Sequence, residues 1–336
     1  MTPSTISSEI QVSRDLRGIL PEWEQLFRQC ADATPFQSPE WLLPWWDVFG
    51  VGAPLVIAVR RGDRLAGLGL FYVYEGDPEH PNQLYLIGKS VSDYLDILVA
   101  DDQPGSELAQ QIIDSVFRMN AIWQSADLDH LRANSPLLSV RARAGISEHR
   151  VQQGVCPELF MNGTSMSQIA KKNTRDSIRK HRNRARGMGS IEFVTADRQS
   201  FPLLMDHLVR LHSAHWQSAG LPGVFSDPRM IRFLEQAGWR LLECGKLRLQ
   251  AMLVNGRPIA VAFGIMHQGR NYFYLCDFDS AYASISPGTL VTAYAIEQAA
   301  AGGAKYFDFL QGEEEYKFVK WGAQPRHTWR IRYWHE

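Results

Sequence analysis

The chain is short of several things, and each shortage removes a class of protein from consideration. Its 336 residues include four cysteines, Cys30, Cys156, Cys244 and Cys276. They stand far apart with no CxxC spacing, so neither a zinc site nor a disulfide framework is expected, and a reducing cytoplasm is the expected setting. No run approaches 18 consecutive apolar residues, so no membrane-spanning helix is expected. The opening stretch MTPSTISSEIQVSRDL has no basic region followed by an apolar core and does not read as a secretory leader. Net charge is nearly absent too, at −1, which argues against a general nucleic-acid coat.

What is present describes a globular chain. Hydrophobic residues make up 45% and charged residues 21%, enough apolar material for one large domain or two. Strand and helix patterns alternate along it. A strand at 9–13 leads to a helix at 21–30, and Ser38-Pro39-Glu40 opens another that runs to Phe49. Runs 55–60 and 65–74 form a hairpin around Gly62-Asp63. Strands at 84–87, 94–99 and 126–131 surround a helix at 106–119, with a further helix at 137–144 and an extended segment at 149–161. Thr164 begins a new segment, with helices at 167–186, 201–218 and 227–238 and a strand at 191–195. Asn255-Gly256 joins runs 247–254 and 258–266, a strong hairpin signal. The two hairpins, LVIAVRRGDRLAGLGL and LQAMLVNGRPIAVAFG, align without a gap at an offset of 194 residues. The pattern predicts tandem α/β units, 1–162 and 163–336, with mixed, largely antiparallel sheets flanked by helices.

The densest signal lies between residues 271 and 323. An aromatic strand, NYFYLCDFD, is followed by Ser286-Pro287-Gly288-Thr289, a small-residue helix to Gly302-Gly303, and a strand at 306–310. Proline suits the first turn of a helix, and Gly288 lets a ligand come close to the backbone. The first N–H groups of such a helix have no internal partners and favour a phosphate. The ordinary alternative is a plain strand-to-helix connection.

This segment resembles the acyl-CoA half of GNAT-type acyltransferases, and more narrowly the CelD/BcsL-like branch related to the Fem aminoacyltransferases. The residues that carry the likeness are Asp277-Phe278-Asp279, Tyr282, Ser286 to Thr289, Asp308-Phe309, Gly312, Tyr316-Lys317 and Trp321. Further matches are Phe36 to Trp41, Ser92-Asp93-Tyr94-Leu95-Asp96 and the basic run 171–186. Only one glycine opens the helix, where the usual family loop carries two. The resemblance implies acetyl-CoA or another acyl-CoA as co-substrate, held by Phe273, Leu275, Asp277, Ser286, Pro287, Gly288 and Thr289, and no metal. It also implies a small-molecule amine acceptor, such as a nucleotide- or lipid-linked sugar of envelope or exopolysaccharide synthesis. Under a Fem-like alternative the donor is aminoacyl-tRNA; a non-catalytic sugar-binding or assembly module is the other alternative.

Each candidate residue has a functional and a plain reading. Asp308, on a strand among aromatics, is a candidate base if burial raises its pKa, or else a structural ion-pair partner. Glu313 heads a run of three acids, Glu313 to Glu315, that could be simply solvated. Lys317, beside Tyr316, could stabilise an oxyanion or extend into solvent. His215 sits at the end of the stripe Leu208, Leu211, His212, His215 and Trp216, which reads first as core and rim and second as a general base. Eight Lys or Arg residues fall within 171–186. Lys171, Arg175, Arg179, Arg182 and Arg186 share a helical face suited to phosphate or to water. Asp93, Tyr94 and Asp96 could face an acceptor cleft or be strand-end polar residues.

Overall fold

In the computed structural model, which describes residues 8–76, 82–161, 163 and 165–336, both glycine-turn hairpins form. Asn255 and Gly256 take φ of 50° and 76°, the positive pair that a two-residue hairpin turn requires. The chain divides into two compact units. One holds the chain up to Gly154 together with Arg326–Glu336, the other Val155–Pro325.

The first unit runs β1 (Ser8–Ser13), α1 (Leu20–Gln29), α2 (Pro39–Phe49), β2 (Pro54–Arg61), β3 (Arg64–Tyr74), β4 (Gln83–Leu86), β5 (Leu98–Val99), α3 (Gly105–Arg118) and β6 (Ser125–Arg132). Its last strand is β13 (Gln324–His335), antiparallel to β6 with Tyr333 opposite Ala126. The strand order is β1-β2-β3-β4-β6-β13, with β5 on β3. β4 and β6 run parallel, joined through α3. That helix spaces Leu108, Ile112, Ile113, Val116 and Phe117 along its buried side and packs on β2 and β3. Burying one such side chain contributes about 1.5–3 kcal/mol.

The second unit takes its first strand from the end of β7 (Ile146–Phe160), whose earlier residues belong to the first unit. Then follow α4 (Met166–Ile169), α5 (Lys172–Arg186), β8 (Ile191–Thr195), α6 (Phe201–Ser218), α7 (Pro228–Glu243), β9 (Leu247–Val254), β10 (Arg257–His267), β11 (Arg270–Phe278), α8 (Pro287–Ala301), β12 (Tyr306–Asp308) and α9 (Glu315–Val319). Strand order is β8-β9-β10-β11-β12-β7. Again one pair, β11 and β12, is parallel, and α8 links its members. α8 is apolar nearly all round, with Leu290, Val291, Ala293, Ala295, Ile296, Ala299 and Ala300 buried. It packs against β9, β10 and β11 and is flanked by α5, as a helix with no polar face must be.

Four expectations are adjusted. The unit boundary falls at 154/155, and residues 326–336 return to the first unit, where β13 hydrogen-bonds β6. Thr164, the expected start of the second segment, lies outside the described residues. The helix expected over 167–186 is interrupted at Ala170, which is extended and buried. The strand expected at 94–99 shrinks to Leu98–Val99, since Leu95 N–H donates to His130 O instead of joining the β3 ladder. At 137–144 only a 3-10 turn, Pro136–Ser139, forms.

Candidate functional site

The site grows out of strand β11. Its ladder with β12 is three pairs long and ends at Tyr272 opposite Asp308. β11 itself continues to Phe278 against β10, where the register slips so that Phe263 faces Leu275 while Gly264 faces Phe273. Tyr274 is thus the extra residue of a β-bulge, a feature that re-aims side chains beside functional sites.

Beyond β11, Ser286 takes a left-handed φ of 50° as N-cap of α8, a conformation that a non-glycine residue rarely adopts. The turn is tight around Gly288: a Cβ there would lie 3.1 Å from the ring of Phe278. Basic groups surround this helix start. Lys320 Nζ donates to Thr289 Oγ1 at 2.8 Å, Arg184 donates to Ser284 O at 2.8 Å, and His181 Nε2 is 3.4 Å from Ser286 Oγ. Burial, and then the nearby charges of Lys320, Arg184 and Lys180, push the pKa of His181 down; burial does the same to Lys320. A site that disfavours its own positive charge in this way gains by taking an anion.

At the other side of β11, Asp277 is 4% exposed, and a carboxylate so placed needs partners. Two histidines of α6 supply them. His212 Nδ1 lies 2.6 Å from Asp277 Oδ2, and His215 Nδ1 lies 2.5 Å from Oδ1. The apolar stripe of α6, Phe201, Leu204, Met205, Leu208 and Leu211, continues into His212 and leaves His215 at its margin. His212 is accordingly buried, while the His215 side chain is 53% exposed and stacks on Trp216. An imidazole oriented by a buried carboxylate, with its second nitrogen outward, is the arrangement of a general base. The Tyr316 hydroxyl lies within the electrostatic reach of Cys276, Glu314 and Asp277. Burial first, and those neighbours next, raise its pKa and keep it protonated.

Several sequence candidates are placed elsewhere. Asp308 is 2% exposed, and its Oδ1 accepts the N–H of Leu310; it holds the strand-end turn, where Leu310 has φ of 57°, rather than meeting an acceptor. Lys317 is buried, with its ammonium donating to Gln311 O, Gly312 O and Glu314 Oε2. All three protons are thereby engaged in closing the 311–314 loop, and none is left for an oxyanion. Glu313 is exposed. Asp93, Tyr94 and Asp96 lie in the first unit. Tyr94 is buried against Phe36, and its carbonyl accepts from Gln37; Asp96 accepts from Ser135 Oγ and Ile97 N. Lys171 and Arg179 are exposed; Arg179 pairs with Asp176 and Arg175 donates to Ser167 O. Arg182 pairs with Glu297 of α8, while His181 and Arg184 reach Ser286 and Ser284 at its start. Ile178 and Ala185 mark the inward side of α5, and of the expected basic face Arg182 is the member that pairs with α8.

Residues 172–318 match the family model of the acetyltransferase (GNAT) domain. No curated protein matches the chain by sequence. Among solved structures it is similar to FemX, at 12% identity over 95% of this chain and 96% of that one, with a TM-score of 0.68. It is also similar to the C-terminal domain of a putative lysylphosphatidylglycerol synthetase from Agrobacterium fabrum, at 13% identity over 94% and 91% with a TM-score of 0.59. A tandem GNAT protein from the clavulanic acid biosynthesis pathway shares 11% identity over 97% and 98%, with a TM-score of 0.50. Identities this low speak for the fold. They make the architecture a tandem GNAT-like one, in which residues 172–318 of the second unit are similar to the GNAT domain model.

Proposed function

We propose that the chain transfers an acyl group from acyl-CoA to an amine, with all the chemistry in the second unit. The observation that carries this reading is the end of the β11–β12 ladder at Tyr272 and Asp308, two strands that are joined through the Ser286-Pro287-Gly288-Thr289 helix start. The edge of β11 from Phe273 to Asp277 is where the amides of a pantetheine arm would find backbone partners. The α8 terminus, with His181, Arg184 and Lys320 around it, would take the pyrophosphate. Residues and group fit: the turn is basic, and Gly288 presents bare backbone.

In the transfer, His215 accepts a proton from the incoming ammonium at Nε2, while Asp277 holds Nδ1. The freed amine attacks the thioester carbonyl, the C–S bond breaks, Tyr316 gives its proton to the departing thiolate, and the proton that the new amide nitrogen sheds restores the Tyr316 hydroxyl. Positioning and preorganised donors carry most of the rate in such a reaction. The base is thereby reassigned from Asp308 or Glu313 to His215. The acceptor class that the family resemblance supports is an amine on a nucleotide- or lipid-linked sugar precursor.

Thermal unfolding with ligand tests the reading. Acetyl-CoA at a hundredfold excess over its Kd stabilises a binding protein by about 2.7 kcal/mol, a shift of a few degrees for a chain of this size. No shift with acetyl-CoA or CoA, together with one on adding tRNA, would overturn it in favour of the Fem-like alternative.

A further inference from the structure

The histidine buried beneath the proposed base has both ring nitrogens engaged, and its second partner decides its charge. His212 Nδ1 contacts Asp277 Oδ2 at 2.6 Å, and Val224 N–H donates to His212 Nε2 at 3.3 Å. A backbone N–H can only donate, so Nε2 has to be bare, and the single ring proton sits on Nδ1. We propose that His212 is a positioning residue locked in its neutral form by the Val224 amide, so that the charge of Asp277 stays available to His215. This deepens the acyl-transfer reading and takes its catalytic meaning from it.

The logic is electrostatic. One carboxylate serves two imidazoles, through Oδ2 to His212 and Oδ1 to His215. If His212 were cationic it would neutralise Asp277, and protonation of His215 would then place a second positive charge beside the first. With His212 neutral, an imidazolium at His215 meets an uncompensated carboxylate. The ring of His212 is clamped by Phe225, edge-on at 4.9 Å, and by Trp216 at 5.8 Å. The segment that carries Val224 has no titratable side chain between Ala219 and Ser226. Its geometry is set by glycine: Gly220 and Gly223 have φ of 72° and 66°, and a Cβ on Gly223 would meet Trp216 at 2.9 Å. Other charged and titratable groups around the pair are Cys276 on β11 and Glu314 and Tyr316 at α9. Asp227 and Arg229 are paired to each other at the start of α7, and His207 and Arg210 lie further back on α6. The lock thus ties the competence of the base to the placement of one short segment.

Nitrogen NMR on the histidine-labelled full-length chain tests this without any substrate. In the parent, His212 should show a protonated Nδ1 and a bare Nε2 whatever the protonation state of His215. Val224→Pro removes the donating N–H at the first position of a 3-10 turn, where proline is accepted. It should make His212 titratable and lower the His215 midpoint by about one pH unit, a tenfold change. His212→Asn, a donor that is always neutral, should leave that midpoint within a few tenths of the parent. A His212 proton on Nε2 in the parent overturns the proposal. So does V224P leaving both titrations unchanged, or H212N displacing His215 as far as V224P does. Acetyl-CoA binding is scored separately: its absence with the titrations as expected sinks the transfer reading and leaves the lock standing.

Discussion

Helix α3 of the first unit begins Gly105-Ser106 after an N-cap proline, Pro104, and α8 of the second begins Pro287-Gly288-Thr289. Both helices connect the two parallel strands of their unit, and the strand orders correspond one for one, β1-β2-β3-β4-β6-β13 with β8-β9-β10-β11-β12-β7. Around the two helix starts the resemblance ends. Near α8 stand His181, Arg184 and Lys320. At α3 a cavity of about 240 Å³ is lined by Asp32, Asp96 and Asp101, with Arg132 as the basic member. The space beside the parallel pair differs as well. In the second unit the β11–β12 ladder simply stops, whereas in the first the segment after β4 turns in and Leu95 N–H bonds to His130 O. The same scaffold thus offers one helix terminus to an anion, and surrounds the other with carboxylates behind a filled gap. Fold supplies the geometry; a handful of side chains decides whether the geometry is used.

The largest expected consequence concerns the His215–Asp277 dyad of the second unit. His215→Ala should lower turnover about 10²–10⁴-fold while leaving acetyl-CoA affinity within a factor of about two or three. A loss of affinity as large as the loss of rate would return His215 to a structural role.

Next comes the acidic pole of the first unit. Burial raises the pKa of Asp96 to about 7, against the pull of Ser135 and Arg132. The folded chain then keeps a proton that the unfolded chain releases near pH 4, so stability falls as pH rises from about 4 to 7 and levels off above. Asp96→Asn keeps an acceptor for Ser135 and Ile97 and carries no charge. It should stabilise the protein at pH 8 by roughly 2 kcal/mol and have little effect at pH 4, as chemical denaturation at the two pH values will show. Equal effects at both would contradict the buried-carboxyl assignment.

The smallest effect is the most direct contrast. Gly288→Val should weaken acetyl-CoA binding about tenfold, or about 1.4 kcal/mol, because a Cβ there already crowds Phe278 at 3.1 Å. Gly105→Ala has room, with Pro136 at 3.6 Å, and should leave calorimetric affinity unchanged. If both variants bind equally well, the two helix starts are not functionally distinct.

Much of the architecture was legible in the sequence, because its signals are local. The hairpins at Gly62 and Asn255-Gly256, the 194-residue offset between them, and the Pro-Gly opening of α8 all depend on neighbours in the chain. What escaped depends on distance. Asp277 meets histidines 62 and 65 positions away, and Ser286 meets His181 at a separation of 105. No periodicity announces such pairs, although His212 at the end of an apolar stripe was a hint that something polar waited inside. Asp308 and Lys317 misled for the opposite reason. A buried charge among aromatics looks functional until its local acceptors and donors are seen, here Leu310 N–H for one and the 311–314 loop for the other.

The place of β13 has a consequence for how the protein comes into being. Its pairing with β6 draws on residues 324–335, which leave the ribosome after the whole second unit. Until they emerge, β6 carries an open edge, a ready template for pairing with another chain. The second unit ends at Pro325. Maturation during translation therefore runs against the usual order, in which N-terminal domains fold first: the later-synthesised half can complete its sheet while the earlier half waits for its final strand.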